Sequence, residues 1–147
     1  MPAIALVVDD EPLNREALSR MCENLGLEVR TAENGLVALE EIRRRVPDVV
    51  LLDVMMPRMS GFQACQKIKT NPKTRDIPVI MVTALNEVGD AERAVECGAD
   101  DFLTKPVNRV ELLTRIRASA RVRQLTRERD RLFRQLRGER EDGDKTG

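Results

Sequence analysis

Short apolar runs that each end on a polar side chain set the frame of this chain. Ile4-Ala5-Leu6-Val7-Val8 ends at Asp9-Asp10, and Val49-Val50-Leu51-Leu52 ends at Asp53. Ile77-Pro78-Val79-Ile80-Met81-Val82 ends at Thr83, and the weaker Asp101-Phe102-Leu103-Thr104 leads into Lys105. Continuous runs rich in Val and Ile, with no polar alternation, mark strands buried on both faces, as in parallel sheets.

Helical periodicity separates these runs. Pro12 to Leu25 places Leu13, Ala17, Leu18, Met21, Cys22 and Leu25 at three- and four-residue spacing, and Gly26 stops the helix. Leu27 to Thr31 predicts a short second strand. Asn34 is positioned to cap a helix through Arg45, with Val37, Ala38 and Ile42 inward and Pro47 closing it. After Asp53 a loop through Pro57 and Gly61 precedes a helix carrying Phe62, Cys65 and Ile68, closed by Asn71-Pro72. A fourth helix is predicted from Asn86 to Cys97, stopped by Gly98, and a fifth from Val107 to about Arg137.

Five strand-helix units require right-handed crossovers and a parallel sheet covered on both faces. The predicted fold is therefore α/β: a five-stranded parallel sheet of order 2-1-3-4-5, flavodoxin-like and doubly wound, with an extended C-terminal helix. That order sets the Asp9-Asp10 and Asp53 strands side by side at the switch point, where ligands bind such sheets.

Composition narrows the chemistry. The 147 residues, 41% hydrophobic, suit one core, and 25 basic against 25 acidic residues leave no global field toward nucleic acid or membrane. The first apolar stretch is cut at Asp9, too short for a signal peptide or a span, which points to the cytosol. Cys22, Cys65 and Cys97 are widely spaced among apolar residues and read as reduced core positions. With no His, this chain has neither a His-based triad nor a phosphohistidine of its own. Glycine loops of the GxxxxGK[ST] or GxGxxG type are missing, and so are Trp and Tyr for a flavin sandwich.

Three carboxylates at one rim repel by about 3 kcal/mol per pair at ~5 Å and an effective dielectric near 20, so a cation is needed. Hard oxygen donors with no His or Cys beside them favour Mg²⁺. Asp53 would be the nucleophile for an aspartyl phosphate, with Asp9 and Asp10 serving the metal and Lys105 supplying further positive charge. The bland alternative is that Asp9-Asp10 only caps the following helix.

Asp9-Asp10-Glu11, Leu52-Asp53-Val54-Met55-Met56-Pro57, Ser60-Gly61, Thr83-Ala84 and Lys105-Pro106, in this order, resemble the receiver domain of two-component response regulators from about Ile4 to Ala120. The resemblance implies that Asp53 accepts a phosphoryl group from a histidine kinase or histidine phosphotransfer protein. It implies Mg²⁺ held by Asp10, Asp53 and the Met55 carbonyl, with Asp9 acting through water. Thr83 and the Ala84 amide would bind the phosphoryl oxygens and Lys105 would neutralise them. Thr83 and Phe102 would form the switch, with output through the fourth helix, fifth strand and fifth helix. Lys105-Pro106 is expected to be cis, and apolar Met55 and Leu85 imply a slowly hydrolysed phosphate.

Residues 1–120 are thus read as the receiver, 121–137 as an extension of the last helix, and 138–147 as a disordered tail. In the extension Ala118, Val122, Leu125, Arg129, Leu132 and Leu136 recur at alternating spacings of four and three, a short coiled-coil seam or a single amphipathic helix. Arg121, Arg123, Arg127, Arg131 and Arg134 read as its solvated flanks, with no direct nucleic-acid contact. A homodimer is expected through the switch face or this helix. Competing readings are a constitutive pseudo-receiver scaffold, the N-terminal module of a cyclic-dinucleotide enzyme, an aspartyl phosphatase and a flavodoxin-type carrier. Intact Asp53, Thr83 and Lys105 oppose the scaffold. Asp53-Val54-Met55 lacks the second Asp of such phosphatases, and the missing aromatics disfavour the carrier.

Overall fold

In the computed structural model of the protein, residues 3–84 and 88–138 are described, apart from the side chains at 88–91 and 122. Strands β1 (Ile4–Val8), β2 (Glu28–Ala32), β3 (Val49–Asp53), β4 (Val79–Thr83) and β5 (Asp101–Thr104) alternate with helices. The helices are α1 (Pro12–Asn24), α2 (Gly35–Arg44), α3 (Gly61–Thr70), α4 (Val88–Glu96) and α5 (Arg109–Leu136). All strand pairs are parallel, and the order is β2-β1-β3-β4-β5, as the periodicity predicts.

The strand pleat divides the core into two layers. Leu6, Val8, Val50, Leu52, Val79 and Met81 pack with Ile42 of α2 and with Phe62, Cys65 and Ile68 of α3. Ala5, Val7, Val49, Leu51, Ile80, Val82 and Leu103 pack on the other face with Leu18 and Cys22 of α1 and Leu112 and Ile116 of α5. Each fully buried Leu or Ile contributes about 2 kcal/mol. The three cysteines are buried and free. Burial pushes the Cys22 thiol up to about 12, which makes it an inert core group.

Several boundaries differ from expectation for local reasons. β4 begins at Val79, not Ile77, because Pro78 has no N–H for the ladder. β2 starts at Glu28, one residue late. α5 starts at Arg109, not Val107, because the Asn108 side chain accepts from the Val110 and Glu111 amides and caps it. α3 opens with a capping box in which Ser60 Oγ accepts from Gln63 N and Gln63 Oε1 accepts from Ser60 N. Asn34 caps α2 as expected, accepting from Val37 N at 2.9 Å.

Two expectations about facing are corrected. Leu13 is 74% exposed and Ala17 is also exposed. Leu13 and Ala17 lie about 140° and 100° around the helix from Leu18, away from the face that buries Leu18 and Cys22. Arg123, expected in solvent, is instead partly buried, its side chain only 10% exposed against the amino end of β3, with Nη1 donating to Pro47 O at 3.2 Å. α5 is continuous through residue 120 to Leu136, and Leu125, Leu132 and Leu136 are exposed. The side chain of Val122, Asn86 as a helix start, Leu85 and the tail beyond Gly138 lie outside the described residues.

Candidate phosphoryl and metal site

Register brings the rim together. Val8 pairs with Leu52, so the next residues, Asp9 and Asp53, end neighbouring strands at the same level. Asp53 pairs with Val82 on β4, and Thr83 pairs with Thr104 on β5, which delivers Thr83 and Lys105 just beyond. One oxygen each from Asp9, Asp10 and Asp53 lie within 4.8 Å of one another. Asp9 and Asp53 are buried, whereas Asp10 is exposed.

Lys105 partly offsets the repulsion. Its Nζ lies 3.0 Å from Asp9 Oδ2 and 3.3 Å from Asp53 Oδ1. Burial works to lower the Lys105 pKa, but the hydrogen bond to Asp9 and the two carboxylate charges overcome it, so the ammonium is held charged. One ammonium for three acids leaves an excess. Burial first, and then the Asp9 charge, push the Asp53 carboxyl up to about 6 against the pull of Lys105. A hard divalent cation fits this donor set, which offers only carboxylate oxygens and no soft ligand.

Other groups fix the geometry. Glu11 N donates to Asp9 Oδ1 at 2.9 Å and Arg15 Nη1 donates to Asp9 O at 2.7 Å. Thr83 is fully buried, and its carbonyl accepts from Lys105 N at 2.7 Å, while Ala84 is exposed at the rim. The Lys105-Pro106 bond is cis, as the resemblance implies. Gly61 N donates to Val54 O at 2.8 Å, folding the loop after Asp53 back onto β3. Met55 stands in that loop, 64% exposed.

Asp9, Asp10, Asp53 and Lys105 are therefore brought together at one rim, and Thr83 and Ala84 border them. Phe102 is elsewhere: it is half-buried on β5 against the layer that contains α3. Sequence reasoning missed Arg15, six residues from the carbonyl it holds, for which no short-range pattern exists. Gly61 was visible as a turn residue and in the Ser60-Gly61 pair, but not as the glycine that folds this loop onto β3.

A family model described as the response regulator receiver domain matches residues 5–117. The chain belongs to this family. This receiver domain is 47% identical over 121 residues to the response regulator PleD of Caulobacter vibrioides, covering 82% of this chain and 27% of PleD. It is 39% identical over 121 residues to RpaA of Synechocystis sp., a DNA-binding dual master transcriptional regulator, covering 82% of this chain and 50% of RpaA. The receiver thus spans between about a quarter and a half of these curated relatives.

The fold matches, with a TM-score of 0.76 and 29% identity, the receiver domain of sensor histidine kinase PA1611 from Pseudomonas aeruginosa PAO1, over 82% of this chain and 98% of that one. In that structure a magnesium ion is coordinated in the active-site cleft. Among the described residues no helix of this receiver is long and apolar enough to cross a membrane.

Proposed function

We propose that this receiver is a phosphorylation-dependent switch in which Asp53 accepts a phosphoryl group from the phosphohistidine of a histidine kinase or histidine phosphotransfer protein. The observation that carries this reading is the Lys105 ammonium bridging Asp9 and Asp53 beside Asp10, on a rim that ends in Thr83. Asp53 Oδ forms the new O–P bond as the donor's N–P bond breaks, and the leaving imidazole regains its neutral form by taking up a proton. A carboxyl with a pKa of about 6 is mostly ionised at neutral pH, as a nucleophile must be.

Asp10, Asp53 and the Met55 carbonyl would hold Mg²⁺, with Asp9 behind them through water. When bound, the ion supplies charge neutralisation for the carboxylates and the incoming phosphoryl oxygens. Lys105 neutralises the same oxygens, and Thr83 and the Ala84 amide donate to them. Movement of Thr83 toward the phosphoryl group, with Phe102 following, would bias the α4-β5-α5 face between two states. Exposed apolar Met55 beside the rim is consistent with slow loss of phosphate.

The domain works as a phospho-acceptor without turnover on an external substrate, and its partners are protein surfaces, including a second copy through the α4-β5-α5 face or the α5 extension. Intact mass after incubation with Mg²⁺ and acetyl phosphate tests the reading. Gain of one phosphoryl group by the wild type and none by Asp53→Asn is expected. Equal gain by both proteins, or by neither, sinks it.

A further inference from the structure

The edge of the sheet opposite the acidic rim carries a second convergence of charge. A cavity of about 260 Å³ lies between the amino ends of β4 and β5 and the middle of α5, lined by Arg75, Asp76, Ser119, Arg123 and Arg127 among others. Its volume is below that of a typical drug-sized pocket, so an occupant would be small.

Two polar side chains in its wall are largely buried. Ser119, with a hydroxyl to offer, is 8% exposed. The Arg123 side chain is 10% exposed and has five N–H donors, yet Nη1 makes only two long contacts, to Pro47 O at 3.2 Å and Asp48 Oδ1 at 3.5 Å, and Nε is buried without a partner.

The acids of the wall do not balance the guanidiniums. Asp100 is engaged by Lys69 Nζ at 2.6 Å and Val79 N at 2.7 Å. Asp101 is engaged by Arg115 at 3.5 Å and by the Phe102 amide at 2.8 Å. Arg75 and Arg127 have no ion-pair partner among the described residues, which leaves Asp76 and the shared Asp48 against three guanidiniums.

We propose that this cavity binds a small phosphorylated anion, with the Arg75, Arg123 and Arg127 guanidiniums around its phosphoryl oxygens and the Ser119 hydroxyl donating to one of them. Planar guanidinium forks suit phosphate oxygens, and charge-assisted bonds are the strong ones. Burial, and then the nearby Arg127 charge, lower the Arg123 pKa, a repulsion that an anion between them would relieve. The site is separated from Asp53 by the length of the strands. An occupant would touch both the segment before β4 and the part of α5 that leads into its extension, tying the two together.

The test is amide NMR of the full chain carrying Asp53→Asn, without Mg²⁺, so that no phosphate is drawn to the acidic rim. Inorganic phosphate and glycerol 3-phosphate are titrated at constant ionic strength, with chloride and citrate as comparisons. Saturable shifts at Ser119, Arg123 and Arg127 are expected, weakened about tenfold or more by Arg127→Ala and also weakened by Ser119→Ala. Both changes are at helix positions that accept Ala, and circular dichroism verifies folding. Tighter binding of glycerol 3-phosphate means that the ester group fills the rest of the cavity; equal affinity means that the phosphoryl group alone is read. Either supports the site. Shifts no larger than with chloride, tighter binding of citrate, or affinity unchanged in Arg127→Ala overturns it.

Discussion

Gly61 packs so closely on Asp53 that a Cβ added to it would stand 2.1 Å from the Asp53 carbonyl oxygen. The contact is with backbone at the end of a central strand, so neither side can yield cheaply. Gly61→Ala is expected to cost about 3 kcal/mol, lowering the melting temperature by about 10 °C. Thermal unfolding of the two proteins checks this, and a shift of a degree or two would mean that the loop after Asp53 moves freely.

Asp53 itself is a source of instability above its pKa. Its carboxyl titrates near 6 in the folded chain, above its ordinary 3.8. The neutral form is therefore favoured by folding. Stability linked to this group is fully present below about 4 and is lost as pH rises through about 6. Without Mg²⁺, Asp53→Asn should stabilise the protein by about 1–3 kcal/mol at pH 7.5, less at pH 6 and hardly at all near pH 4. Urea unfolding at the three pH values reads the trend, and a pH-independent difference would contradict it.

Mg²⁺ should act in the same direction on the wild type. A cation that binds only the folded rim adds about 2.7 kcal/mol at a hundred times its dissociation constant. Asp10→Asn keeps the fold, since Asp10 is exposed, but removes a ligand. The expected result is a melting temperature raised by Mg²⁺ in the wild type and little changed in the variant.

Lys105→Ala leaves Asp9 and Asp53 buried without their cation. A loss of stability of about 3 kcal/mol at neutral pH is expected, together with phosphoryl acceptance slowed by about a hundredfold. Measuring acceptance by mass and stability by denaturant separates the two effects. Unchanged acceptance in a folded variant would remove Lys105 from the chemistry.

Leu125 and Leu132 are 54% and 58% exposed on the α5 extension. If this seam joins two copies, replacing both by Lys should give a monomer by light scattering while phosphoryl acceptance is unchanged. A dimer that survives the double change must use another face.

The rim was legible in the sequence because a strand end is a local event: Asp9, Asp53 and Thr83 each follow an apolar run, Lys105 follows the weaker Asp101–Thr104 stretch, and topology aligns the ends. The two-layer core followed from the same runs. What escaped was decided at long range or by the limits of an element. Leu13 lies about 140° around α1 from Leu18, so apolar spacing alone put it in a stripe that the buried pair Leu18 and Cys22 does not extend to. Arg123 resembles its solvated neighbours in sequence, and only the fold brings Pro47 and Asp48 beneath it, 75 or more residues away. The Ser60/Gln63 box was written in the spacing, though the run of Pro57, Ser60 and Gly61 read as loop.

The burial of Arg123 has a mechanical corollary. It fastens α5 to the sheet partway along one unbroken helix, and beyond it about 20 Å of helix runs on to Leu136 at the usual rise. Rocking by about 10° around that anchor swings the far end through about 3 Å, roughly half the spacing between helical turns. The extension is thus a lever with a fulcrum, and rotation of the receiver's last helix can exchange the neighbours at its tip with no residue changing conformation.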